Sequence, residues 1–161
     1  MSRLSAISLL SAGVVVSALP LGLPSDATFV PPMLMAALIY LFSVLRPALP
    51  AWIAFLVGLA SDVLSAGPLG YWAFIFLLVH TLAVQWQPPP GLGFAGLWSM
   101  FVITTAVVSL AGWLVACAYF FGAVDWQPMV LGGFSASALF PLLAWPLRRR
   151  LGLARAIPVA G

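Results

Sequence analysis

Apolar residues along this chain fall into six runs, separated by short segments rich in proline, glycine and polar residues. The runs cover residues 4–19, 30–45, 51–65, 68–86, 92–121 and 128–147. Residues 20–29 form a turn-rich break that carries Asp26. Arg46, Pro47 and Pro50 end the second run, because proline disfavours helix in the residue before it and clashes with the preceding turn. Ala66, Gly67 and Pro68 end the third, and Pro68 suits the first position of a new helix. Residues 85–91 are a stiff, uncharged connector, residues 122–127 carry Asp125, and the tail from Arg148 is basic and then neutral.

Composition decides what solvent such runs face. Of 161 residues, 64% are hydrophobic and 6% charged, and the mean hydropathy is +1.18. A soluble domain carries about 25% charged residues. This inventory excludes a soluble globular domain, a disordered chain and a fibrous repeat, and leaves lipid as the main solvent. A spanning helix needs about 20 apolar residues. The reading is therefore an all-α integral membrane protein, one polytopic domain over 1–161 with six transmembrane helices (4–19, 30–45, 51–65, 68–86, 94–121 and 128–147). Runs two and three are short but cannot merge, since Arg46 and two prolines would sit at mid-span. They are expected to form a hairpin under thinned lipid. Run five is too long to stand upright, and tilts or lies partly along the interface near residues 92–97.

The charges set the orientation. The acids are Asp26, Asp62 and Asp125; the bases are Arg3, Arg46, Arg148, Arg149, Arg150 and Arg155. Six alternating spans put every arginine on one side, with Asp26 and Asp125 on the other and Asp62 near that other end of the third span. Arginines near span ends favour the cytoplasm, so both termini are predicted to be cytoplasmic. The first run also has the form of a signal peptide, and cleavage after Ala18 would leave five spans. A net charge of +3 is too small and dispersed for nucleic acid. Cys117 is alone and forms no internal disulfide. Six of the seven tryptophans fall near span ends as interface anchors; Trp113 does not.

Small residues recur at helical spacing: Ala54, Gly58, Ser61 and Ser65; Thr105, Ser109, Gly112 and Ala116; Gly133 and Ser137. Two readings stand. They are seams within the bundle, or one of them docks a partner's span. Asp62 is the most informative residue, because an intramembrane acid costs about 2.5–3.5 kcal/mol at mid-span. Read structurally, it accepts bonds from Ser65 and from the free amides at the start of the fourth span, locking the turn at Gly67 and Pro68. Read functionally, it anchors a partner or ligand. No arginine is on its side to pair with it.

Arg46 reads as a topology determinant and phosphate-lipid contact, with specific docking as the alternative. Arg148, Arg149 and Arg150 read as a stop signal that attracts anionic headgroups, at roughly 1 kcal/mol each. Docking of a cytoplasmic filament or enzyme is the alternative there. His80 reads as a bundle histidine. With one His, one Cys and no Glu, no metal site and no cofactor are expected. Asp62 and His80 lie near opposite ends of a membrane crossing, no serine has a nearby base in a recognisable pattern, and nucleotide-binding and zinc motifs are absent. No catalytic residues are assigned, and the reading is not an enzyme.

Residues 31–80 carry a pattern: Pro31 and Pro32, Tyr40, Arg46-Pro47, Phe55, Gly58, Asp62, Leu64-Ser65, then Pro68-Leu69-Gly70. This resembles the rod shape-determining protein MreD family, as do the length, the six-span layout and the arginine-rich exit from the last span. Two positions depart from the pattern: the residue after Arg46-Pro47 is uncharged, and the 85–91 connector carries no base. The resemblance implies a bacterial inner-membrane scaffold of the cell-elongation complex, supporting cell shape and lateral peptidoglycan synthesis. It implies as partners MreC, MreB filaments, and RodA with its penicillin-binding transpeptidase. It also implies a fold similar to the substrate-binding subunits of energy-coupling-factor transporters. Partner or structural roles then fall on Gly58, Asp62, Ser65, Pro68, Gly70 and Arg46. The competing reading is a vitamin-capture subunit of such a transporter, with an outward pocket near Asp62, Ser61, Ser65, Thr28 and Tyr71.

Overall fold

The computed structural model of the chain describes residues 29–45, 50–65, 68–86 and 93–150. Among them the regular structure is all helical: α1 Val30–Leu45, α2 Ala51–Ser65, α3 Tyr71–Gln85, α4 Gly93–Phe120 and α5 Gln127–Arg150. These cover the second to sixth apolar runs. The expected first span, Arg46, most of the proline connector and the tail beyond Arg150 lie outside the described residues.

Two helices are long and apolar enough to cross a membrane by length and composition: α4, with 28 residues at mean hydropathy 2.1, and the Gln127–Trp145 part of α5, with 19 residues at 1.4. At 1.5 Å per residue, α1 (16 residues) and α2 and α3 (15 each) fall several ångströms short of a hydrocarbon core of about 30 Å. These two helices are what supports association with a membrane. The outer faces agree with a lipid solvent. Leu110, Leu114, Phe134, Leu142 and Trp145 are all exposed, a spread of apolar surface that a water-soluble monomer rarely carries.

The central element is α1, which packs against both α3 and α5; α2 lies on α3, and α4 bridges α3 and α5. Its Ala37, Ile39, Tyr40, Leu41 and Ser43 are completely buried. An aromatic knot ties it to its neighbours: Phe101 of α4 stacks on Phe140 of α5 at 4.2 Å, and Tyr40 tilts against Phe101 at 5.2 Å. Stacking of this kind adds to plain burial because the ring quadrupoles align favourably. The Tyr40 hydroxyl has no hydrogen-bond partner among the described residues.

One expectation is corrected here. Pro68 does not open a helix: α3 starts at Tyr71, Gly70 holds a left-handed φ of 94°, and the Tyr71 amide bonds the Pro68 carbonyl at 3.2 Å. The reason is tertiary. A carboxylate from α2 takes the amides that a further helical turn would have used. The foot of α4 is continuous with the rest of that helix. Gly96 and Leu97 are buried against the core within one continuous helix, and 28 residues exceed the core thickness, so tilt or protrusion absorbs the excess.

Proline inside α5 creates a debt that another helix settles. Pro141 has no amide hydrogen, so the Ser137 carbonyl four residues earlier loses its intrahelical donor. The Trp98 indole Nε1–H of α4 donates to that carbonyl at 3.0 Å. Trp98→Phe is expected to cost about 1 kcal/mol in reversible micellar unfolding, and Pro141→Ala to make the same change nearly harmless by restoring the amide. A Trp98→Phe cost that persists in the Pro141→Ala background would disprove this account.

Candidate functional site

Gly58, Asp62, Ser65, Pro68 and Gly70 converge where α2 turns into α3. Residues 58 and 62 are one helical turn apart and share a face. Gly58 is the contact point. A Cβ placed there would meet the Ala73 Cα at 2.4 Å and the Ala73 nitrogen at 2.6 Å. The two backbones touch because no side chain separates them.

That closeness brings Asp62 to the open end of α3. Its side chain is completely buried. Oδ1 accepts from the Trp72 amide at 2.8 Å; Oδ2 accepts from the Gly70 amide at 2.9 Å and the Ala73 amide at 3.3 Å. The first amides of any helix lack intrahelical partners. Here α2 supplies the cap from across the hairpin, and negative charge at a helix N-terminus is also favoured by the helix dipole. Gly70 itself offers no capping side chain. Its positive φ is what turns its amide onto Oδ2, a conformation other residues adopt at a cost.

Part of the sequence expectation for Ser65 fails. Its hydroxyl donates to the Ser61 carbonyl at 2.7 Å, with a longer approach to the Asp62 backbone carbonyl at 3.4 Å, and not to the Asp62 carboxylate. A serine three residues on in a helix finds carbonyls of the preceding turn first. Gly58 itself faces inward. Its face is filled by α3 of the same chain, so a substitution there acts on the fold before it reaches any partner.

Gly112 and Gly133 also sit at contacts within the bundle. A Cβ at Gly112 would meet the Ile75 Cδ1 at 2.9 Å and the Tyr71 hydroxyl at 3.0 Å, and one at Gly133 would meet the Ser109 hydroxyl at 3.1 Å. Arg148, Arg149 and Arg150 form the last turn of α5. Arg46 lies outside the described residues.

Three polar contacts escaped sequence reasoning. The Trp98 bond is one. The second is Trp113, whose indole donates to the Val124 carbonyl at 2.9 Å and pins the α4–α5 loop, which accounts for a tryptophan away from the span ends. The third joins His80 to Ser43: Nδ1 lies 2.8 Å from the serine Oγ, which donates its own proton to the Ile39 carbonyl at 2.7 Å. Since that hydroxyl proton is spent, His80 Nδ1 carries the hydrogen between them. A proline in mid-helix signals an orphan carbonyl, but nothing in one sequence says which side chain answers it.

Two hollows remain. A groove of about 850 Å³ runs between α4 and α5, floored by Thr105, Ala106, Ser109 and Gly133 and rimmed by Trp98, Trp113 and Trp126. A second cavity of about 510 Å³ sits against the Asp62 clamp, bordered by Ser65, Gly70, Tyr71 and Trp72 on one side and by Tyr119, Phe120 and Asp125 on the other. Among the described residues, no group of three or more His, Cys, Asp or Glu side chains is placed to hold a metal ion. No family model, curated protein or solved structure matches the chain.

Proposed function

We propose that this chain is a non-catalytic membrane scaffold of the bacterial cell-elongation complex, in the manner of the MreD family, located in the inner membrane as a multi-pass protein with both ends in the cytoplasm. The observation that supports the reading is the behaviour of the resembling residues. Gly58, Asp62, Pro68 and Gly70 act together as one structural clamp, so the most polar group of the motif is spent on rigidity rather than on chemistry. A rigid bundle suits a protein whose work is to hold neighbouring spans in place. The partners on this reading are MreC, MreB, RodA with its transpeptidase, and membrane lipid. Affinity purification from native membranes, followed by mass spectrometry, is expected to recover MreC and wall synthases. Recovery of neither sinks the scaffold.

One observation favours the transporter reading. The 510 Å³ cavity is bordered by Ser65 and Tyr71, two of the groups that a vitamin-capture pocket was expected to use. On that reading the same purification recovers a pair of ATPases and a shared membrane coupler.

A further inference from the structure

The geometry points to the 510 Å³ cavity as a binding site for a hydrophobic organic cation, such as a quaternary ammonium or an alkylated amine. Its walls are aromatic: Phe29, Tyr71, Trp72, Tyr119 and Phe120 all border it. Their rings pack against one another edge-on or tilted. Phe29 and Trp72 lie 5.5 Å apart, Tyr71 and Trp72 lie 5.2 Å apart, and Tyr119 and Phe120 lie 5.1 Å apart. Aromatic faces present negative potential and attract cations, most strongly where water is scarce.

The one ionisable acid or base on the described lining is Asp125. Its Oδ1 accepts the Gln127 amide at 3.0 Å, while Oδ2 accepts no hydrogen bond from the described residues. A phosphate or carboxylate ligand would meet the Asp125 carboxylate as a like charge. A neutral ligand would use the walls and leave the carboxylate idle. A cation with an apolar body uses both, its charge under Asp125 and its body among the rings. The volume suits a compact molecule, within the usual range of small-ligand sites. The site stands on the cavity and survives failure of the scaffold reading, which co-purification tests separately.

The test uses the full chain in neutral maltoside micelles, with benzyltrimethylammonium as the probe, benzyl alcohol as its neutral analogue and benzenesulfonate as its anionic one. The ammonium is expected to raise Tm saturably, because a ligand that binds only the folded state stabilises it by mass action. Asp125→Asn keeps the Oδ1 acceptor and hence the turn at Gln127. It is expected to weaken ammonium binding about fivefold, the weight of one exposed ion pair, without lowering the unliganded Tm. Tyr119→Leu leaves the carboxylate in place and is also expected to weaken it. The inference is overturned if the ammonium gives no saturable shift. Equal shifts from benzyl alcohol or benzenesulfonate, or undiminished binding by Asp125→Asn, overturn it as well.

Discussion

Gly58→Leu is expected to yield no folded protein, whatever partners are present. The obstacle is the Ala73 backbone, 2.4 Å from where the first side-chain atom would sit. A flexible side chain could swing aside; a helix backbone cannot, so α2 and α3 must part along their whole contact. Overpacking typically costs about 1–3 kcal/mol, and more where the backbone itself is displaced. Gly58→Ala, the smallest intrusion, is expected to lose about 2–3 kcal/mol on reversible unfolding in mixed micelles. Ala73→Gly is not expected to rescue it, because the clash is with the Ala73 Cα and nitrogen rather than its methyl group. A folded, stable Gly58→Leu protein that had lost only a partner would restore the docking reading and sink the internal seam.

The second large effect belongs to Asp62. Asp62→Ala strips the amides of Gly70, Trp72 and Ala73 of their acceptor. Each buried donor left unpaired costs about 1–3 kcal/mol, so a total near 3–5 kcal/mol is expected once relaxation of the partly exposed Gly70 is allowed for. Asp62→Asn is instructive, since it preserves shape. Its amide settles with the oxygen toward Gly70 and Ala73, which sets its NH2 group against the Trp72 N–H. It is expected to lose about 1–3 kcal/mol, less than alanine but well short of aspartate. Hydrogen exchange reads this locally: the amides of Gly70, Trp72 and Ala73 should lose protection first, while the middle of α3 keeps it. Parental stability and protection in Asp62→Asn would show that the cap carries no weight.

The two predictions mark where reading the chain succeeds. Proline and glycine placed the breaks between apolar runs, because their effects on φ and on the backbone donor are local. Helices α1 and α2 occupy the second and third runs, and the capping of the fourth by Asp62 was among the readings open from spacing alone. The start of α3 was misplaced by three residues. Pro68 is a good helix opener judged locally, and only the carboxylate arriving from α2 makes Tyr71 the first helical residue. Ser65 departs from its local expectation because its hydroxyl reaches a carbonyl of its own helix, while the Asp62 carboxylate is turned to the amides of α3. The Trp98–Ser137 bond and the His80–Ser43 bond join residues 39 and 37 positions apart, beyond the reach of any periodicity.

By itself, the chain determined its helical class and the apolar character of its helices. Burial of apolar groups is additive and non-directional, so counting residues is enough. The tertiary structure alone decided what each polar group does. A hydrogen bond or a backbone contact depends on position and angle, and those exist only after helices distant in sequence have been brought side by side.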